Sequence, residues 1–169
     1  MKPDRLQDSD LEKLPNAPMI IIPFNPESKR AAKAYGNKLD AMLSPYSAYA
    51  ELFGSTELEI AGKGEWEFGI WLDDKQWYSV LIMLINHFAS IYTLSDDFAL
   101  FEDVHDGTNI EVIPMRGDAA ARNQAIMKYW RTNPEAAIAY ERGKIEHAYS
   151  KREYYRWKNK HISEIVETL

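Results

Sequence analysis

Three acidic residues and one short turn have the types and spacing to do chemistry. Gly54-Ser55-Thr56 closes an apolar stretch, and nine residues further on Glu65 and Glu67 alternate with Trp66 and Phe68. Glycine lets the backbone approach phosphate oxygens closely, serine or threonine adds a hydroxyl donor, and a helix opening just beyond presents free N–H groups. Carboxylates on alternate residues of a strand project from one face about 7 Å apart, near enough for flexible side chains to share a pair of metal ions. Glu111, set between Ile110 and Val112, offers a third acid from a neighbouring strand. Such a set suits phosphoryl or nucleotidyl transfer, which needs a cradle for a nucleoside triphosphate (NTP) and oxygen ligands for Mg2+ or Mn2+. It requires the three carboxyl groups to converge on one cleft.

Lys63, Arg116, Arg122, Lys144 and Lys158 are the cations available to neutralise a triphosphate. Each feature also has a plainer reading: an ordinary turn, the solvated face of an edge strand, surface lysines. The stretch Lys151 to Lys160 interleaves basic and aromatic residues as a nucleic-acid groove does. Its helical spacing gives a simpler account, with Tyr154, Trp157 and His161 buried and the cations snorkelling outward. His87, His105, His147 and His161 lack metal-ligand spacing, and no Ser-His-acid set is legible.

The elements that must position these residues follow from periodicity. Met19 to Phe24 reads as an edge strand and Pro26 to Leu43 as an amphipathic helix stopped by Ser44-Pro45. Tyr49 to Phe53 is a short strand entering the Gly-Ser turn, and Glu65 to Leu72 is the most strand-like segment. Asp73-Asp74 caps a helix with Trp77, Val80, Leu81, Leu84, Ile85 and Phe88 on its apolar face. Ile91 to Val104 and Asn109 to Pro114 flank a hairpin turn at His105-Asp-Gly-Thr. Three helices end the chain: one capped at Asp118, one started by Pro134, and one opened by the capping box Ser150 to Glu153. The last carries Tyr154, Trp157, His161, Ile162, Ile165 and Leu169 on one side. The expected fold is α+β, a mixed, mainly antiparallel sheet flanked by helices with a C-terminal helical wall.

The 169 residues suffice for one core, so residues 19–169 form one expected domain, preceded by a mobile arm over residues 1–18. With no cysteine there is no disulfide or thiolate zinc site, which fits a cytoplasmic protein. No apolar run is long enough to span a bilayer. A net charge of −6 makes nucleic acid an unlikely partner.

Phe53-Gly54-Ser55, nine residues, then Glu65-Trp66-Glu67-Phe68 resembles the signature of the nucleotidyltransferase superfamily, with Glu65 where Asp is usual. A closer resemblance, from about Met19 onward, is to the GrpB family. Ile21-Ile-Pro-Phe-Asn-Pro, Glu51-Leu-Phe-Gly-Ser-Thr and Ala61-Gly-Lys-Gly are similar to its blocks, as are Tyr129-Trp-Arg-Thr-Asn-Pro-Glu, Tyr140 with Lys144, and Tyr155 with Lys158. Leu52 and Glu111 stand where the family has His, and Glu67 where it has Asp. The resemblance implies metal-dependent transfer of a nucleotidyl group from an NTP to an acceptor the sequence does not name. Gly54, Ser55 and Thr56 would then hold phosphates, together with Lys63, Lys144 and Lys158, and Glu65, Glu67 and Glu111 would hold metal. The substituted acids and missing histidines imply an alternative, a catalytically silent relative that binds a nucleotide or a protein through the same cleft.

Overall fold

The computed structural model describes residues 8–88 and 91–169. Five strands form one sheet in the order β1-β2-β5-β4-β3: β1 Ala50–Phe53, β2 Trp66–Leu72, β3 Thr93–Leu94, β4 Ala99–His105 and β5 Thr108–Arg116. β2 and β5 run parallel, and the other three pairings are antiparallel. The helices are α1 Asp8–Leu11, α2 Pro26–Leu43, α3 Gly54–Glu57, α4 Asp74–Phe88, α5 Gly117–Thr132, α6 Pro134–His147 and α7 Lys151–Thr168.

Alternation along the strands divides the apolar side chains between two cores. On one face Phe68, Ile70, Phe101 and Val112 pack under α2 and α4, against Leu39, Leu43, Trp77 and Leu84. On the other, Phe53, Ile113 and Met115 pack under the C-terminal helices against Met127, Trp130 and Tyr140. Caps fix the register of these helices. Asn25 accepts from Glu27 N, Asp73 from the N–H groups of Lys75 and Gln76, and Ser150 from Glu153 N. Each such cap contributes about 1 kcal/mol.

Several expectations are modified. The Met19–Phe24 strand reduces to one bridge, Ile22 with Gly62, because Pro23 removes the next donor. Arg116, not Asp118, stands at the α5 cap. Along the apolar sides, Ile85 and Leu169 are exposed. Residues 1–7 of the expected arm lie outside the described residues. Beyond them the chain is tied to α7: Leu11 is buried, Arg152 donates to the carbonyls of Glu12 and Leu14, and Lys151 N donates to Ala17 O.

Candidate functional site

β2 and β5 align their acids. Glu67 and Glu111 are partners in the parallel ladder and Phe53 faces Glu67 from β1, so all three side chains leave the sheet on the side of α5–α7. Glu65, one residue before β2, follows the same alternation. These carboxylates are therefore placed on a face that is otherwise apolar core.

Gly54 receives Glu67. Its backbone is left-handed, φ +72°, and a Cβ built there would lie 1.7 Å from Glu67 Oε2. Only glycine lets the carboxylate lie flat on the start of α3. Around this contact is a cavity of about 130 Å³ lined by Gly54, Ser55, Lys63, Glu65, Glu67 and Lys158. Helices α5–α7 add Trp130, Tyr140 and Tyr154 to the lining, with buried Arg122 and with Asn123 and Asn159. The rings continue behind the wall as a stack, Trp130 on Tyr140 at 4.4 Å, then His161 and Trp157.

The loop carrying Lys63 is held on both sides. Ala61 N donates to the Glu141 carboxylate, the Lys144 ammonium donates to Ala61 O, and Gly62 exchanges both backbone bonds with Ile22. Thr56 donates to Glu65 O at 3.0 Å and fixes the entrance to β2. From this frame the Lys63 ammonium makes an ion pair with Glu65 and lies 3.6 Å from Glu111 Oε1.

The charges decide how these groups titrate. Burial first, and then the Glu67 charge, push Glu111 up to about 7. Burial would lower Lys63, but the attraction of Glu111, with Tyr155 and Glu67, overrides it and holds the ammonium above its ordinary range. Between pH 4.5 and 7 the folded protein keeps a Glu111 proton that the unfolded chain has released, so stability falls as pH rises through that window. The ceiling of this effect is ~3 kcal/mol. Glu111→Gln is expected to raise the melting temperature at pH 8 and to leave it unchanged near pH 4, as measured by thermal unfolding across pH.

Not every candidate reaches the cavity. Gly54, Ser55, Lys63, Glu65, Glu67 and Lys158 line it. Glu111 lies beyond, in a groove of about 480 Å³ that also contains Glu65, Glu102 and Asn109. Thr56 is buried in its bond to the backbone. Lys144 is fully buried behind the turn, where it donates to Ser55 Oγ at 2.7 Å and to Ala61 O, over the Tyr140 ring. Burial, then the nearby Lys158 charge, push Lys144 down to about 8. Arg116 is occupied elsewhere, bonded to Asp74 and Asp96 O. On α7, Arg152 and Arg156 pair with Glu12 while Lys158 turns into the cavity.

A metal ion, implied by the resemblance, fits these residues in donor chemistry alone. The donors are all carboxylate oxygens, as Mg2+ prefers. Among the described residues the buried Glu65 Oε2 finds no hydrogen-bond partner, and the Lys63 ammonium is its ion-pair partner. Convergence, however, is not met. Among the described residues no three acidic or histidine side chains gather as a metal site, because Lys63 stands beside Glu65 and Glu111 while Glu67 lies against Gly54.

No family model and no curated protein matches the chain. Among solved structures it is similar to the GLD-2/RNP-8 complex, TM-score 0.54 at 11% identity over 92% of this chain and 59% of that one. It is also similar to the Cid1 poly(U) polymerase with Mg and 3'-dATP bound, TM-score 0.52 at 10% identity over 83% of this chain and 44% of that one. The fold is thus that of the nucleotidyltransferases. This chain spans 59% and 44% of those two chains.

Proposed function

We propose that the protein is a cytoplasmic metal-dependent nucleotidyltransferase of the GrpB type, moving a nucleotidyl group from an NTP to an acceptor hydroxyl. The observation that carries this reading is the contact of Glu67 with Gly54 at the floor of a cavity that also holds Lys63 and Lys158. Glu67, the Gly54-Ser55 turn and the two lysines line one cavity.

In this reading the free N–H groups and hydroxyl of the Gly54-Ser55 turn hold phosphate oxygens. Lys158, joined by Arg122 and Lys63, faces the charge that grows on the leaving pyrophosphate. Glu65, Glu67 and Glu111 are the carboxylates that would have to draw together to hold Mg2+ or Mn2+, and the ion would supply charge neutralisation and a more acidic acceptor hydroxyl. The aromatic wall of α5–α7 excludes water and receives the apolar part of the nucleotide. Lys144 is a positioning residue: by donating to Ser55 Oγ it leaves the serine proton free to point at phosphate. In Lys144→Met, relief of a buried charge offsets two lost hydrogen bonds, so the melting temperature is expected to change by only a few degrees. Triphosphate affinity measured by calorimetry is expected to fall about 5–10-fold, the worth of one charge-assisted hydrogen bond.

The test incubates the protein with each of the four labelled NTPs plus Mg2+ or Mn2+ and a panel of acceptors. Small hydroxyl compounds and an RNA oligonucleotide both belong in the panel, because a fold neighbour is a poly(U) polymerase. The earlier expectation against nucleic acid rested on net charge and does not exclude a local site. Transfer that requires metal supports the reading, and absence of metal-dependent binding or transfer with every NTP contradicts it. Binding without turnover favours the catalytically silent relative, a reading that the separation of the carboxylates among the described residues supports.

A further inference from the structure

We infer that Ser55 and Lys144 form a serine–lysine pair in which the amine takes the serine proton, giving the cavity a second, metal-free chemistry: transfer of the acyl group of a small carboxylic ester onto Ser55 Oγ and from there to water. This goes beyond the nucleotidyl-transfer reading and does not depend on it.

Three observations converge on the pair. The first is contact: Lys144 Nζ stands 2.7 Å from Ser55 Oγ. Gly62 permits the approach, since a Cβ there would lie 2.8 Å from that oxygen. The second is orientation. With 1% of its surface exposed, the lysine donates to Ala61 O and lies over the Tyr140 ring, 4.9 Å from its centroid. A neutral amine keeps both contacts through its two N–H groups and turns its lone pair on the Ser55 hydroxyl. Burial first, then Lys158 and more weakly Lys63, favour that neutral form against Glu67 and Glu141, and bring the lysine down to about 8. Below that pH the bond runs from lysine to serine, as in nucleotide binding. Above it the direction reverses and the serine becomes a nucleophile.

The third is access. Half-buried Ser55, at the turn from β1 into α3, lines the cavity together with Lys63, Lys158 and the apolar Ile126, Met127 and Ile162. Glu67 does not repel a neutral ester, the apolar side chains receive its hydrocarbon part, and an ammonium faces the oxyanion that forms. A volume of about 130 Å³ sets the size of that ester. In the first step Ser55 Oγ bonds to the carbonyl carbon and its proton passes to Lys144 Nζ. The bond from that carbon to the alcohol oxygen breaks, and the alcohol leaves with the proton. Water then repeats the sequence on the serine ester, releasing the acid and restoring Ser55.

The test uses p-nitrophenyl acetate with a metal chelator present and no nucleotide, read by p-nitrophenolate release and by peptide mass after acid quenching. Wild-type protein is expected to be acetylated at Ser55, at a rate that rises about 10-fold from pH 7 to pH 9 as Lys144 loses its proton. Ser55→Ala should abolish that adduct. Lys144→Arg keeps the charge and the donors but cannot take a proton, and should slow acetylation at least about 100-fold at pH 9. No acetyl group on Ser55 of the wild type, or acetylation that Lys144→Arg leaves unchanged, overturns the pair and leaves nucleotidyl transfer standing. A second measurement needs no variant: the 13Cε resonance of Lys144 in wild-type protein should titrate with a midpoint near pH 8. A midpoint at the ordinary lysine value contradicts its role as base.

Discussion

Glu67→Gln is expected to lower metal-dependent nucleotidyl transfer by about 100-fold or more, with the fold intact. The amide keeps the shape that lies against Gly54 and removes one of three negative charges from the shared face of β2 and β5. Removing that charge relieves Glu111 but withdraws a counter-charge from Lys63, Lys144 and Lys158, so the two effects on stability oppose each other. The variant should therefore melt within a few degrees of the wild type at pH 8 even as labelled product disappears. Retained transfer with an unchanged melting curve would show that Glu67 is a structural carboxylate and that the chemistry lies elsewhere.

Gly54→Ala is expected to have the second largest effect, acting on stability and on the site through one methyl group. A non-glycine residue at a left-handed φ costs about 1–2 kcal/mol. The new Cβ would also overlap Glu67 Oε2, forcing that carboxylate off the turn. Calorimetry should show a lower melting temperature, and transfer should fall as far as in Glu67→Gln. Adding Glu67→Ala to Gly54→Ala separates the two costs: the double variant should regain the part due to collision, keep the part due to backbone strain, and remain inactive. Additive destabilisation would mean that the two residues do not press on each other.

The parts of this fold visible in the sequence are those where local chemistry agrees with tertiary packing. Period-two alternation at Glu65 to Phe68 and the spacing at Trp77, Val80, Leu81 and Leu84 place strand β2 and helix α4 because the buried faces are continuous in sequence. Gly54, Glu65 and Glu67 were legible for the same reason, as one short motif. The residues closing the cavity were not. Trp130, Tyr140, Tyr154, Asn123 and Asn159 come from three helices and meet β2 only after the chain has folded over the sheet. Arg122 was visible only as one cation among five. Lys144 and Thr56 carry the right chemistry for phosphate, yet burial turns both toward the backbone and the Gly-Ser turn. Sequence identifies a hydroxyl or an ammonium but not the direction in which packing will aim it. Register was equally hidden: no local pattern says that Glu111 faces Glu67 rather than a residue two places away.

Equilibrium binding of a non-hydrolysable NTP analogue, measured by calorimetry with and without Mn2+ on wild type and Glu67→Gln, tests the central claim most directly. A site made of the Gly54-Ser55 turn, Lys158 and the three glutamates predicts binding that Mn2+ strengthens at least about 10-fold in the wild type and much less in the variant. Binding that ignores Mn2+, or that Glu67→Gln leaves equally Mn2+-dependent, would contradict it.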